Sequence, residues 1–261
     1  MQDYSASDQF LFLVAVAGIA VFMAIRPSLA PSGVADRTDS PGLDRPAQAS
    51  DVVAASSGGP LQGIDVSHYQ GEVDWARVAA SGMSFTFIKA TEGLRYVDPR
   101  FDVNQRGAKA AGLLAGAYHF FHPSVDPVAQ AEHFLATAPV GRGWLPAVLD
   151  LEKPPERGDQ INVAKAARMW LDHVEQATGC RPLVYTNRSF WQTHLDNALA
   201  EFPLWYAQYA NQPDPPENAP DWSFWQHSQR GQVPGVDGAV DLNLFGGDTD
   251  QLAALLCGDA Q

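Results

Sequence analysis

Basic residues are scarce. Lysine and arginine number 17 against 30 aspartates and glutamates, a formal net charge of −13 over 261 residues. That deficit excludes a nucleic-acid binder, which needs a basic stripe to meet phosphate. It also excludes electrostatic adsorption to anionic lipid or an anionic wall polymer, so any polymeric partner is held by stacking and hydrogen bonds. Cysteine is almost absent: Cys180 and Cys257 stand alone, and neither belongs to a metal-type C-x-x-C pair. If the chain is exported the two could close one disulfide; otherwise they are independent buried thiols, and both readings stand. No internal repeat is present, and no glycine-rich dinucleotide fingerprint follows the first strand signal. His119 and His227 have no ligand spacing around them, so no metal site and no cofactor are expected.

Long hydrophobic runs are equally rare, with one exception. Phe10 to Ile25 is apolar and uncharged throughout. As a helix it would span roughly 24 Å, a little short of a bilayer core of about 30 Å. It is preceded by Asp3 and Asp8 where an export signal has lysine or arginine. Residues 1–26 therefore read as a single-pass N-terminal membrane anchor or an atypical export signal, the anchor being preferred. Residues 27–60, rich in proline, serine, alanine, glycine and aspartate, read as a flexible linker.

What remains, residues 61–261, is rich enough for a core. Over the whole chain hydrophobic content is 46%, with 10% aromatics, and 19 prolines and 22 glycines imply many turns. Strand signals fall at 63–67, 85–91, 113–121, 145–152, 183–186, 204–209, 223–227 and 239–245. Helices are predicted at 73–80, 101–111, 126–138, 161–178, 189–200 and 248–256. Asp126 is a natural N-cap with Pro127 at the first turn, and Gly179 closes the clearest helix. The alternation predicts an α/β fold, an irregular TIM-like β/α barrel of about eight strands with helices reduced in the last third. A doubly wound open sheet is the alternative.

Parallel barrels carry their working residues at the C-terminal ends of the strands. Collecting the polar side chains there returns Asp65, Lys89, Tyr118, Asp150, Glu152, Tyr185, Trp205, Gln226 and Asp241. Four carboxylates with aromatic neighbours around one rim suit a carbohydrate, whose hydroxyls meet acids and whose apolar CH faces meet rings. The stretch from Leu145 to Glu152 is the centre of this reading: an apolar strand ending in two acids, which alternation places on one face. Taken singly, that stretch is equally an ordinary strand end facing water. Trp75, Trp170 and Trp191 read as core; Trp205 and Trp225 could pack or meet sugar.

Seven segments recur in order: GIDVSHYQG (63–71), FIKATEG (87–93), GAYHFF (116–121), VLDLE (148–152), YTNRSFW (185–191), LWYAQY (204–209) and VDLNLF (240–245). Together they resemble glycoside hydrolase family 25, the Chalaropsis-type lysozymes or N-acetylmuramidases. The resemblance covers residues 63–245. It implies cleavage of the β-1,4 bond between N-acetylmuramic acid and N-acetylglucosamine in peptidoglycan glycan strands, outside the cytoplasm. It also implies that the active-site acids are Asp65, Asp150, Glu152 and Asp241, with Lys89, Tyr118, Tyr185, Trp205 and Gln226 as substrate-binding candidates. Neither a metal nor a cofactor is implied, and a monomer is expected.

Glu152 is the expected general acid, its pKa raised by Asp150, Asp65 and Asp241. Residues i and i+2 of a strand lie roughly 6.5–7 Å apart, too far for the roughly 5–5.5 Å of a directly retaining carboxyl pair. Two routes follow: attack by the substrate's own N-acetyl oxygen with Asp150 orienting the amide, which is preferred, or inversion with Asp65 or Asp241 activating water. A catalytically silent peptidoglycan-binding domain and a hydrolase of another N-acetylhexosamine polymer are the competing functions.

Overall fold

The structure is a computed structural model, and it describes residues 60–258. The expected anchor and most of the expected linker lie outside the described residues. Among the described residues no helix is long and apolar enough to cross a membrane.

Strands β1 (Gln62–Val66), β2 (Met83–Glu92), β4 (Leu114–Phe120), β5 (Val148–Asp150), β6 (Leu183–Asn187), β7 (Leu204–Ala207), β8 (Trp222–Gly231) and β9 (Val240–Phe245) close into a barrel. A two-residue strand, β3 (Tyr96–Val97), pairs only with the end of β2. Among the eight barrel strands every neighbouring pair from β1 to β8 is parallel, but β9 runs antiparallel to both β8 and β1. The barrel is therefore mixed rather than wholly parallel, and helices thin out after β6 as expected. The connections β7–β8 and β8–β9 carry no helix. The open-sheet alternative is excluded by the β1–β2 pairing that closes the ring.

The helices are α1 (Trp75–Ala80), α2 (Phe101–Ala110), α3 (Pro127–Thr137), α4 (Val163–Thr178), α5 (Arg188–Phe190) and α6 (Thr249–Ala254). Asp126 caps α3 by accepting from the Val128 and Ala129 amides, and Gly179 ends α4 with φ 66°. Val163, Ala167, Trp170, Leu171 and Val174 form the stripe that α4 buries against the barrel. The helix expected at 189–200 forms only in its first half. After α5 the chain makes one wide π turn, Trp191–Leu195, and Asp196 at φ 51° breaks it. Trp191, Leu195 and Leu199 are all buried at a spacing of four, which reads as one continuous helix in sequence although the helical backbone stops at Leu195.

Two apolar layers result. Trp75, Trp170 and Trp191 lie in the outer one, between helices and barrel. The inner one fills the barrel with Phe85, Phe87, Val148, Leu183, Phe224 and Phe245, closed below by Leu252 of α6. Gly63 and Gly116 make this filling possible. A Cβ at either position would stand 2.5 Å from a ring carbon of Phe85 or Phe87. Below the barrel, Cys180 and Cys257 form a disulfide across 77 residues, tying the end of the chain to the α4–β6 loop.

Candidate active site

Pairing register fixes which side chains point inward. Lys89 sits opposite Tyr118, Tyr118 opposite Val148, and Asp150 opposite Tyr185. Asp65 sits opposite Asp241, and Gln226 opposite Asn243. Inward positions that are apolar low in the barrel thus become polar at its upper end. There a cleft of about 330 Å³ is lined by Asp65, Lys89, Glu92, Tyr118, Asp150, Glu152 and Asp241, with Tyr69 and Phe120 at its edges.

The expected acids converge, by a route the sequence concealed. Asp241 is the second residue of β9, not its last. It reaches the rim because β9 is reversed, which brings the strand's beginning level with the other strands' ends. Glu152 lies beyond β5, which ends at Asp150, so the two acids are not alternate residues of one strand and the spacing argument loses its footing. Asp150 is 6% exposed, and its Oδ1 has no hydrogen-bond partner in the protein. Glu152 stands at the mouth, with solvent on one side.

Asp65 is held from two sides. Gln226 Nε2 donates to its Oδ2 at 2.9 Å and Asn243 Nδ2 at 2.8 Å. Each amide is itself oriented by an aromatic donor. The Tyr185 and Tyr209 hydroxyls donate to Gln226 Oε1 at 2.9 and 3.1 Å, and Trp205 Nε1 donates to Asn243 Oδ1 at 2.8 Å. Tyr185, Gln226 and Trp205, expected to meet substrate, therefore form the scaffold beneath Asp65. Trp205 is 2% exposed and stacks on Phe87, with centroids 4.5 Å apart, which leaves it no face for a sugar. Trp225 is core as well, donating to the Gln208 carbonyl. His119 is buried between Thr91 and Gln130, a satisfied structural histidine.

Lys89 and Tyr118 do line the cleft. Lys89 pairs with Glu92 at 2.7 Å, and Glu92 also meets His122 at 3.0 Å. Glu92 is absent from the expected set, because strict alternation turns it outward. A bulge between Lys89 and Thr91 shifts the register and brings it back inside. Asn243, in the VDLNLF segment, is the other omission; alternation from Asp241 would have found it.

The electrostatics follow from this crowding. Burial is the main cause that raises Asp65, opposed by the donors Asn243, Gln226 and Asp241. Asp241 is pushed up to about 8 by burial, by the charge of Asp65 and by donating a hydrogen bond to it. Burial, then the charge of Glu152, holds Asp150 well above the usual carboxylate range, partly offset by Lys89. Glu152 is also raised. The largest cause is lost hydration between the cleft walls rather than the repulsion expected from sequence; Lys89 opposes it, while Asp65 and Glu92 add to it. Glu92 goes the other way, down to about 2, chiefly through its hydrogen bond with His122. The site thus holds protonated and ionised carboxyls side by side, which acid-catalysed cleavage of an acetal needs. Among the described residues no group of His, Cys, Asp and Glu is arranged to hold a metal ion.

A mixed barrel with this acid-walled cleft defines a carbohydrate-cleaving barrel hydrolase. The chain belongs to glycosyl hydrolases family 25, whose family model matches residues 64–236. It is 43% identical over 205 residues to YegX of Escherichia coli K12, covering 76% of this chain and 74% of that one. It is 39% identical over 211 residues to lysozyme M1 of Streptomyces globisporus, covering 75% and 71%. Among solved structures, the bacterial lysozyme of Streptomyces coelicolor superposes with a TM-score of 0.70 at 37% identity, covering 77% of this chain and 98% of that one.

Proposed function

We propose that the chain is a lysozyme-type muramidase, cleaving the β-1,4 bond between N-acetylmuramic acid and N-acetylglucosamine in peptidoglycan. The observation that carries the proposal is Asp150: a buried carboxyl with an unpartnered oxygen, beside a Glu152 disposed to keep its proton. Glu152 gives that proton to the glycosidic oxygen as the C1–O bond breaks. The substrate's N-acetyl oxygen bonds to C1, and Asp150 accepts a hydrogen bond from the amide N–H. Positive charge growing on the amide favours the ionised form of Asp150, reversing the effect of burial. Water then bonds to C1 as the bond from C1 to the N-acetyl oxygen breaks, restoring the acetamido group, and the water gives a proton back to Glu152.

A second reading is favoured by the position of Asp65, held at the rim by Gln226 and Asn243: ionised, against the burial that raises it, this carboxylate would activate water with inversion. Mass spectrometry of muropeptides released from purified sacculi tests the activity: products ending in reducing N-acetylmuramic acid are expected. Protein that sediments with the wall and releases none would be a binding domain instead. NMR of the first-formed anomer separates the routes, since β product requires retention and α product would remove substrate assistance.

Such an enzyme works outside the cytoplasm, where its substrate lies and where a disulfide persists. Residues 10–25 would supply the anchor or export signal, and the intact mass of the mature protein would tell which.

A further inference from the structure

Beside the cleft, on the flank formed by the β1–α1 and β2–α2 connections, stand two aromatic side chains that the mechanism does not use. Tyr69 lines the cleft and is 82% exposed; Tyr96 is 38% exposed. Between them lies His68, with ring centroids 4.1 Å from Tyr69 and 6.0 Å from Tyr96. Tyr96 in turn stands 5.6 Å from Lys89 Nζ, on the cleft wall. The row Tyr69–His68–Tyr96 is thus continuous with the site at both ends.

A single exposed tyrosine needs no explanation, but the turn that carries this one, and the His68 ring beside it, are fixed in place. His68 meets the Asp98 carboxylate through its backbone N–H at 3.0 Å and through Nδ1 at 2.8 Å. Asp98 is fully enclosed and also accepts from the Arg100 amide at 2.9 Å. The short 3₁₀ turn carrying Tyr69, residues His68–Gln70, is closed by a reciprocal Ser67–Gln70 cap. A buried carboxylate and a capping box, with no part in the acid chemistry, hold a turn whose outermost feature is one bare aromatic face. A ring carried on a backbone already fixed loses less entropy on binding a ligand. A linear glycan leaving the cleft presents the flat CH faces of its next sugar ring, and a chain of net charge −13 exerts no general electrostatic attraction on an anionic polymer.

We propose that Tyr69, held by His68 and Asp98, is a stacking platform for a saccharide ring beyond the scissile pair. This rests on the muramidase reading for its substrate and concerns binding outside the bond that is cut. The test uses peptidoglycan glycan strands freed of stem peptides and fractionated by length, with the full chain. Tyr69→Leu, apolar but without a ring face, is expected to raise KM on long strands by about 3–10-fold, the scale of one aromatic contact, while kcat holds. Tyr69→Phe, which keeps the face, is expected to restore KM. Calorimetric titration of the same strands into Glu152→Gln and Glu152→Gln/Tyr69→Leu gives the matching Kd ratio without turnover. Equal Kd values, or a Phe variant as weak as the Leu variant, would overturn the platform. A wild-type chain that cleaves nothing while the Kd ratio persists would instead remove the muramidase reading and leave the platform standing.

Discussion

The lower and upper halves of the barrel interior are built from the same strands with the same inward parity, yet they are opposites. Below, Phe85, Phe87 and Phe224 pack edge to face and Phe245 packs tilted against Phe224, with centroids 5.0–6.0 Å apart. Two residues further along β1, β2 and β8 the inward positions become Asp65, Lys89 and Gln226. The lower half stabilises: each buried large apolar side chain contributes about 1.5–3 kcal/mol. The upper half opposes folding, because burying carboxyls is costly unless they keep their protons or find donors. Division of labour here runs by height within each strand, so each strand both stabilises and serves the chemistry.

That contrast breaks if an upper-half change unfolds the protein or a lower-half change acts on chemistry. The largest effect is expected at Glu152. Glu152→Gln removes the proton donor but leaves the mouth's shape, so lytic activity should fall by about 10²–10⁴-fold, the worth of a general acid. The melting temperature should not drop. Undiminished clearing of sacculi would remove Glu152 from the acid role.

Next comes the lower half. Gly116→Ala sets a methyl 2.5 Å from the Phe87 ring and 3.2 Å from Leu145 Cβ. Overpacking of this kind costs about 1–3 kcal/mol. Urea unfolding should show that loss, while activity per folded molecule stays at the wild-type value. If activity per folded molecule fell with stability intact, the two halves would not be separable.

This division was partly legible in the sequence. Polar residues at strand ends identified the rim acids, and the alternation of strand and helix signals identified the barrel. The reversal of β9 was not legible, because a strand's direction depends on its neighbours and not on its own residues; Asp241 was found although it stands at a strand's beginning. Glu92 was hidden by a one-residue bulge that no local signal marks. Trp205 looked equally suited to sugar and to packing, since an inward aromatic is the same residue in either layer; only its height decides. The Cys180–Cys257 pairing, left open by the sequence, required knowing that residues 77 apart meet below the barrel.

The smallest effects expected lie within the upper half, where two carboxyls answer pH in opposite senses. Asp241 is held at about 8, above its ordinary 3.8. Its contribution to stability is therefore complete below the ordinary value and is lost as pH rises through about 8. Glu92 is held at about 2, below its ordinary 4.5. Its contribution is complete above the ordinary value and is lost as pH falls through about 2. Asp241→Asn keeps a donor for Asp65 but cannot ionise, so its stability relative to wild type should climb from pH 4 to pH 8 and then level. Glu92→Gln should lose on the order of 1 kcal/mol at neutral pH, after allowance for the solvent that screens its half-buried pair with His122. That deficit should shrink as the medium is acidified towards pH 2. Urea unfolding of both variants across this range gives two curves of opposite slope. Parallel curves would mean that the upper half behaves as one uniform acidic surface, and the distinction between proton-keeping and ionised carboxyls, on which the chemistry depends, would fail.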